Sequence, residues 1–138
     1  MATIKTFTDI SQSKVLAEIL PLESADMLYW KGEYITHSYM EGQHKDEQIP
    51  VWSLAALLNL LPSEFTEVGK YSTTKYVIKI RKYKHTDEVN LYQIAYGSYK
   101  WYEDGGYTWS DMINTGEKED FLDAVFEMVC WLKKNNKI

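Results

Sequence analysis

Residues 49–62 read Ile-Pro-Val-Trp-Ser-Leu-Ala-Ala-Leu-Leu-Asn-Leu-Leu-Pro, and no other stretch restricts the fold as much. Pro50 and Pro62 fence a run whose polar residues are Ser53 and Asn59. Leucine and alanine favour a helix, and a helix apolar on nearly every side must be buried between layers or at a subunit interface. The run therefore predicts a short buried helix over about 51–61, with Ser53 as its N-cap.

The flanking segments supply two further helices. Asp9 and Gln12 have the spacing of a capping pair, and Val15, Leu16, Ile19 and Leu20 follow as a helical stripe that Pro21 ends. Near the C-terminus, Phe121, Val125, Met128 and Leu132 form a core stripe within a helix from about Lys118 to Asn135. Ala124, Val129 and Trp131 widen that stripe. Lys133 and Lys134 suit its C-terminal end, and Asn135 and Asn136 stop it.

Between the helices the period changes to two. Segments 26–30 and 33–39 flank Lys31-Gly32 and predict a short hairpin. Over 75–84, Tyr76, Ile78 and Ile80 point one way, and Val77, Lys79, Arg81 and Tyr83 the other. A second strand spans Val89–Tyr96 with Tyr92, Ile94 and Tyr96 on one face, and Gly97-Ser98 is expected to break it. Asp104-Gly105 between aromatic runs predicts a tight hairpin. A two-residue Asp104-Gly105 loop places Tyr102 opposite Tyr107, and a Gly105-Gly106 loop places it opposite Trp109. The element order, α-β-β-α-β-β-β-β-α, predicts one α+β domain over 1–138, an antiparallel sheet of hairpins with about three helices packed on one face.

The buried run and the string Asp-Ala-Val-Phe-Glu-Met-Val-Cys-Trp-Leu (123–132), with Glu23-Ser24-Ala25-Asp26-Met27, resemble a family of small uncharacterised proteins. These are encoded by gut anaerobes, often within prophages and other mobile elements. The resemblance implies an intracellular accessory protein of a mobile element. It implies no activity, cofactor or site residue.

Charge and composition narrow the function. A net charge of −5 opposes general, salt-driven nucleic-acid binding. Five of the chain's 15 basic residues nevertheless cluster as Lys75, Lys79, Arg81, Lys82 and Lys84, a pattern that fits a solvated strand face. Cys130 is the one cysteine, so no internal disulfide forms. The N-terminus shows no apolar signal-peptide core, and no apolar run approaches the ~20 residues of a membrane span. A cytoplasmic protein without membrane association is expected.

Catalytic patterns are weak. His37 and His44 bracket a loop with Glu41, Asp46 and Glu47, but no pair has a tight metal-ligand spacing. Cys130 lies inside a helix between Val129 and Trp131, a setting for an inert thiol. Gly97-Ser98 lacks the serine-hydrolase elbow, and there is no glycine-rich phosphate loop. Glu103-Asp104 suits a turn, and Glu117, Glu119 and Asp120 suit a helix N-terminus. No catalytic, cofactor or metal residues are assigned.

The aromatics are the remaining signal, with eleven Tyr and five Trp in 138 residues. Tyr92, Tyr96, Tyr99, Trp101, Tyr102, Tyr107 and Trp109 crowd one region, where half should face the core. Exposed Tyr and Trp suit interfaces. The expectation is a non-enzymatic interaction module binding a protein partner or itself through Trp101, Tyr102, Tyr107 and Trp109, with Lys79 and Arg81 alongside. One alternative is single-stranded nucleic acid stacked on Tyr and Trp beside Lys79, Arg81 and Lys100. Another is a small carboxylate-dependent hydrolase.

Overall fold

Asp9 opens the first helix, α1 (Ile10–Ile19), by reciprocal capping: its carboxylate accepts the Gln12 N–H at 2.8 Å while the Gln12 side chain accepts the Asp9 N–H at 3.2 Å. The helix stops at Leu20, whose extended backbone (φ −112°, ψ 152°) is the conformation a following proline demands. The computed structural model describes residues 5–36 and 48–138. The expected continuation of the early hairpin to Tyr39, and the loop with His37 and His44, lie outside the described residues.

Strands β1 (Met27–Trp30) and β2 (Glu33–Ile35) pair as predicted. Lys31 and Gly32 both have positive φ (50° and 81°), the mirror-image turn that matches the right-handed strand twist. A third strand, β3 (Ile49–Val51), pairs with the other side of β1. It was not expected, because Pro50 reads as a helix boundary. An edge strand tolerates proline, and β3 is an edge in the order β2-β1-β3.

The run 49–62 is therefore a strand followed by a shorter helix, α2 (Leu54–Leu60). Ser53 caps it as expected, accepting the Ala56 N–H at 3.1 Å. The expectation of burial on all sides is corrected: Leu57 is fully buried, while Ala55 and Asn59 face solvent. The largest fully buried side chain is Trp52, just before the helix, and its indole N–H donates to Ser24 Oγ at 2.9 Å.

The second sheet contains β4 (Glu64–Val68), β5 (Thr73–Lys84), β6 (Asn90–Trp101) and β7 (Tyr107–Asn114), all antiparallel and in that order. β4 was not foreseen. Gly97-Ser98 does not break the sheet, and β6 runs through both residues. The irregularity falls on the partner strand, where Ile113 opposes Tyr96 and Asp111 opposes Gly97, so Met112 is the extra residue of a bulge. The β6–β7 loop also differs from both expected registers. Tyr102 C=O accepts the Gly105 N–H at 3.0 Å, Tyr102 N–H donates to Gly106 O at 2.8 Å, and Gly105 has φ +87°. A three-residue loop, Glu103-Asp104-Gly105, with glycine in the left-handed position therefore sets Trp101 opposite Tyr107.

Helix α3 (Phe121–Lys134) lies over β6 and packs on α1 and α2. Its buried face is Leu122, Ala124, Val125, Met128, Val129 and Leu132, against Tyr92, Ile94 and Tyr96 of β6 and Tyr76 and Ile78 of β5. Phe121 and Trp131, expected in this stripe, are half-buried at its margins. Asn136 ends the helix at φ +56°, with Asn136 N–H bonded to Lys133 O and Lys137 N–H to Leu132 O. The fold is α+β, with two antiparallel sheets and, among the described residues, three α-helices.

Candidate interaction face

The four-stranded sheet buries one face under α3, and among the described residues no element covers the other. The alternation over 75–84 holds: Ile78 faces Tyr96 on the core side, and Lys79 and Arg81 face Ala95 and Gln93 on the open side. The same parity carries along β6 to Gly97, Tyr99 and Trp101, and across to Asp111, Trp109 and Tyr107 on β7.

Four rings stack on this open face. Trp101 and Tyr107 lie 4.7 Å apart, Tyr107 and Tyr99 5.2 Å, and Tyr99 and Trp109 4.9 Å, the last two edge to face. Cross-strand aromatic pairs stabilise an antiparallel ribbon. Three of the four remain wet, with Trp101 67% exposed, Tyr107 57% and Tyr99 45%. Trp109 is half-buried because Gly97 makes room for it. A Cβ on Gly97 would stand 2.6 Å from the Trp109 ring and 2.3 Å from Ser110 O.

Trp109 also joins a polar group. Arg81 donates two hydrogen bonds to the Asp111 carboxylate, at 2.8 and 2.7 Å, and a third to Gln93 Oε1 at 3.0 Å. The Trp109 indole N–H donates to Asp111, and Lys79 Nζ lies 4.8 Å from the Trp109 ring centroid. The Arg81 hydrogen bonds hold the Asp111 carboxyl down at about 2, against partial burial and with help from Trp109. The same pairing raises Arg81 above its already high value.

Of the six residues expected at the site, the open face brings together Lys79, Arg81, Trp101, Tyr107 and Trp109. Tyr102 is not among them. It lies past the end of β6, its hydroxyl meets Thr108 Oγ1 at 3.1 Å and Lys100 lies over its ring, so it belongs to the opposite side of the hairpin. It follows Trp101 directly, and alternation along the strand sets neighbours on opposite faces. Tyr99, Gly97, Gln93 and Asp111 are added by the structure. Tyr99 and Asp111 share the parity of Trp101 and Trp109, the sequence signal that points to them.

The basic cluster is largely neutralised. Lys75 pairs with Glu64 at 2.9 Å, Arg81 with Asp111, and Lys84 with Asp87 at 3.3 Å, while Lys82 lies over Tyr92 on the core side. Among the described residues, Lys79 makes no ion pair and lies beside the rings.

The other candidate chemistry is structural. Asp120 caps α3 through the Leu122 N–H and accepts the Lys5 N–H, and Asp104 holds the Gly106 N–H in the turn. Cys130 is half-buried, and burial, with Glu127 nearby, pushes its thiol up, away from the reactive thiolate. No group of three or more metal-ligating side chains occurs among the described residues. A recess of about 480 Å³ is lined by Glu23, Ser24, Asp26, Ala56, Asn59 and Leu60, where Asp26 is committed to the N–H and Oγ of Ser53. No helix of the described residues is long and apolar enough to cross a membrane.

Comparison with known proteins adds little. No family model and no solved structure matches the chain. An L-lactate dehydrogenase of Shouchella clausii (strain KSM-K16) is 25% identical over 89 residues, 60% of this chain. The match spans 24% of that protein's length, and this likeness defines no family for the chain.

Proposed function

We propose that the protein is a non-enzymatic interaction module that binds a protein partner or a second copy of itself through the open aromatic face. One observation carries the reading: Trp101, Tyr107 and Tyr99 are ordered by stacking yet remain about half exposed or more. Rings already held in place lose little entropy on binding and bury a large area. In this reading it is a cytoplasmic accessory protein of a mobile element.

The test is affinity capture from the native host with the tagged protein, using nuclease-treated lysate. The wild type should retain a specific protein that the Trp101→Ala/Tyr107→Ala double variant loses, with unchanged circular dichroism. Equal capture by both would refute the assignment to this face. The Lys79–Trp109 stack favours a second reading, single-stranded nucleic acid. It ranks lower because Asp111 neutralises Arg81. It requires binding that weakens steeply with salt and is lost in Lys79→Ala.

A further inference from the structure

We infer that the tip of the β6–β7 hairpin carries a site of spontaneous covalent modification: Asp104–Gly105 rearranges to an isoaspartyl linkage when the loop opens, and the closed loop holds the reaction back. The chemistry is independent of any partner. Its consequence for binding rests on reading the aromatic face as an interaction surface.

Sequence and exposure select the bond. Asp104–Gly105 is the one Asp-Gly pair of the chain, and there is no Asn-Gly. In the rearrangement the Gly105 nitrogen attacks Asp104 Cγ. A C–N bond forms, and the nitrogen's proton leaves with the carboxyl hydroxyl as water. Water then opens the five-membered imide at either carbonyl. Opening at the Asp104 main-chain carbonyl leaves the chain running through the side chain, which is the isoaspartyl product. Water lost in the first step returns in the second, so the mass is unchanged. Glycine puts no side chain in the path of the attack, and residues 102–108 are all exposed to solvent.

The folded loop ties up both reacting groups. Gly105 N–H donates to Tyr102 O at 3.0 Å, and Asp104 Oδ1 accepts the Gly106 N–H at 2.9 Å. The nucleophilic nitrogen has its proton engaged, and the carboxylate is turned to the next amide along. The Tyr102 N–H bond to Gly106 O, at 2.8 Å, and the stacked pair Trp101–Tyr107 keep the loop shut. Reaction therefore proceeds from the opened tip, and its rate reports how often the tip opens.

The product cannot rebuild the same loop. Isoaspartate adds one carbon to the main chain and moves the free carboxylate, so the bond to Gly106 is lost. A loop fitted to three residues, with Gly105 at φ +87°, no longer spans Tyr102 to Gly106, and the adjoining Trp101–Tyr107 pair loosens. A slow chemical change at residue 104 thus acts on the most exposed end of the aromatic face.

The test incubates the full chain at one pH and temperature, folded and in urea. Isoaspartate is scored by enzymatic carboxyl methylation and located by peptide mapping. The unfolded chain should modify at Asp104 about tenfold or more faster than the folded wild type. Trp101→Ala/Tyr107→Ala, with unchanged circular dichroism, should speed the folded chain about twofold or more. Asp104→Glu, which would need a larger ring, should remove the signal from this peptide. No isoaspartate at 104 in the unfolded chain overturns the site. Equal folded and unfolded rates overturn the protection, and a double variant as slow as the wild type overturns the ring pair as its latch. Capture of a partner by freshly purified protein is untouched by these outcomes, so the two readings fall separately.

Discussion

Gly97→Ala sets two physical effects against each other at one position. Gly97 does not occupy the left-handed region, so alanine is conformationally acceptable there. Unfolded-chain entropy alone would then favour alanine by about 0.4–1 kcal/mol. The packing opposes it. The added Cβ meets Ser110 O at 2.3 Å and Trp109 ring carbons at 2.6 and 2.8 Å, distances no real Cβ tolerates. The first contact is backbone of β7, which cannot rotate away. Overpacking of this kind costs about 1–3 kcal/mol. If the indole swings out, its bond to the Asp111 carboxylate is lost as well, worth about 1.5–3 kcal/mol for a charged acceptor. A net loss of about 3 kcal/mol is expected, a large share of the ~5–15 kcal/mol that holds a domain together. Urea unfolding followed by circular dichroism measures it. The Trp109 indole N–H resonance should also shift, as the ring leaves Lys79 and Tyr99. A variant as stable as the wild type, or more so, would refute the account of Gly97 as the seat of Trp109.

Asp111 gives a pH-dependent prediction. Its carboxyl sits at about 2 in the folded chain against an ordinary 3.8, so its contribution of about 2 kcal/mol is complete above the ordinary value and disappears as pH falls through about 2. Asp111→Asn should lose that contribution at neutral pH and show a flatter fall in stability between pH 4 and pH 2, measured by urea midpoints at each pH. Asn136, at φ +56°, tolerates the left-handed position that ends α3; Asn136→Val should cost about 1–2 kcal/mol and Asn136→Gly should cost nothing, by thermal unfolding. Cys130 should react with a thiol reagent more slowly at neutral pH than a free cysteine and speed up on denaturation, because burial holds it protonated.

Much of the fold is legible in local chemistry. The Asp9–Gln12 cap, the Ser53 cap, the Lys31-Gly32 turn and the Asn136 stop each depend on a few adjacent residues, so reading them needs no knowledge of what packs above. The core faces of β5 and β6 follow from period-two alternation, which survives because one side of the sheet is covered by α3. Tertiary structure decided the rest. Pro50 became a strand residue because β1 was there to pair with it, and α2 kept Ala55 and Asn59 in water because only one side meets the core. β6 continued through Gly97 because a tryptophan from β7 filled the space the missing side chain left. Arg81 and Asp111, 30 residues apart, form one site only because β5, β6 and β7 lie side by side. The sequence by itself determined the helices, the alternation and the aromatic richness, since these are short-range properties. Which rings stay exposed, and which cations are neutralised, depended on strand order and register, which arise from contacts distant along the chain.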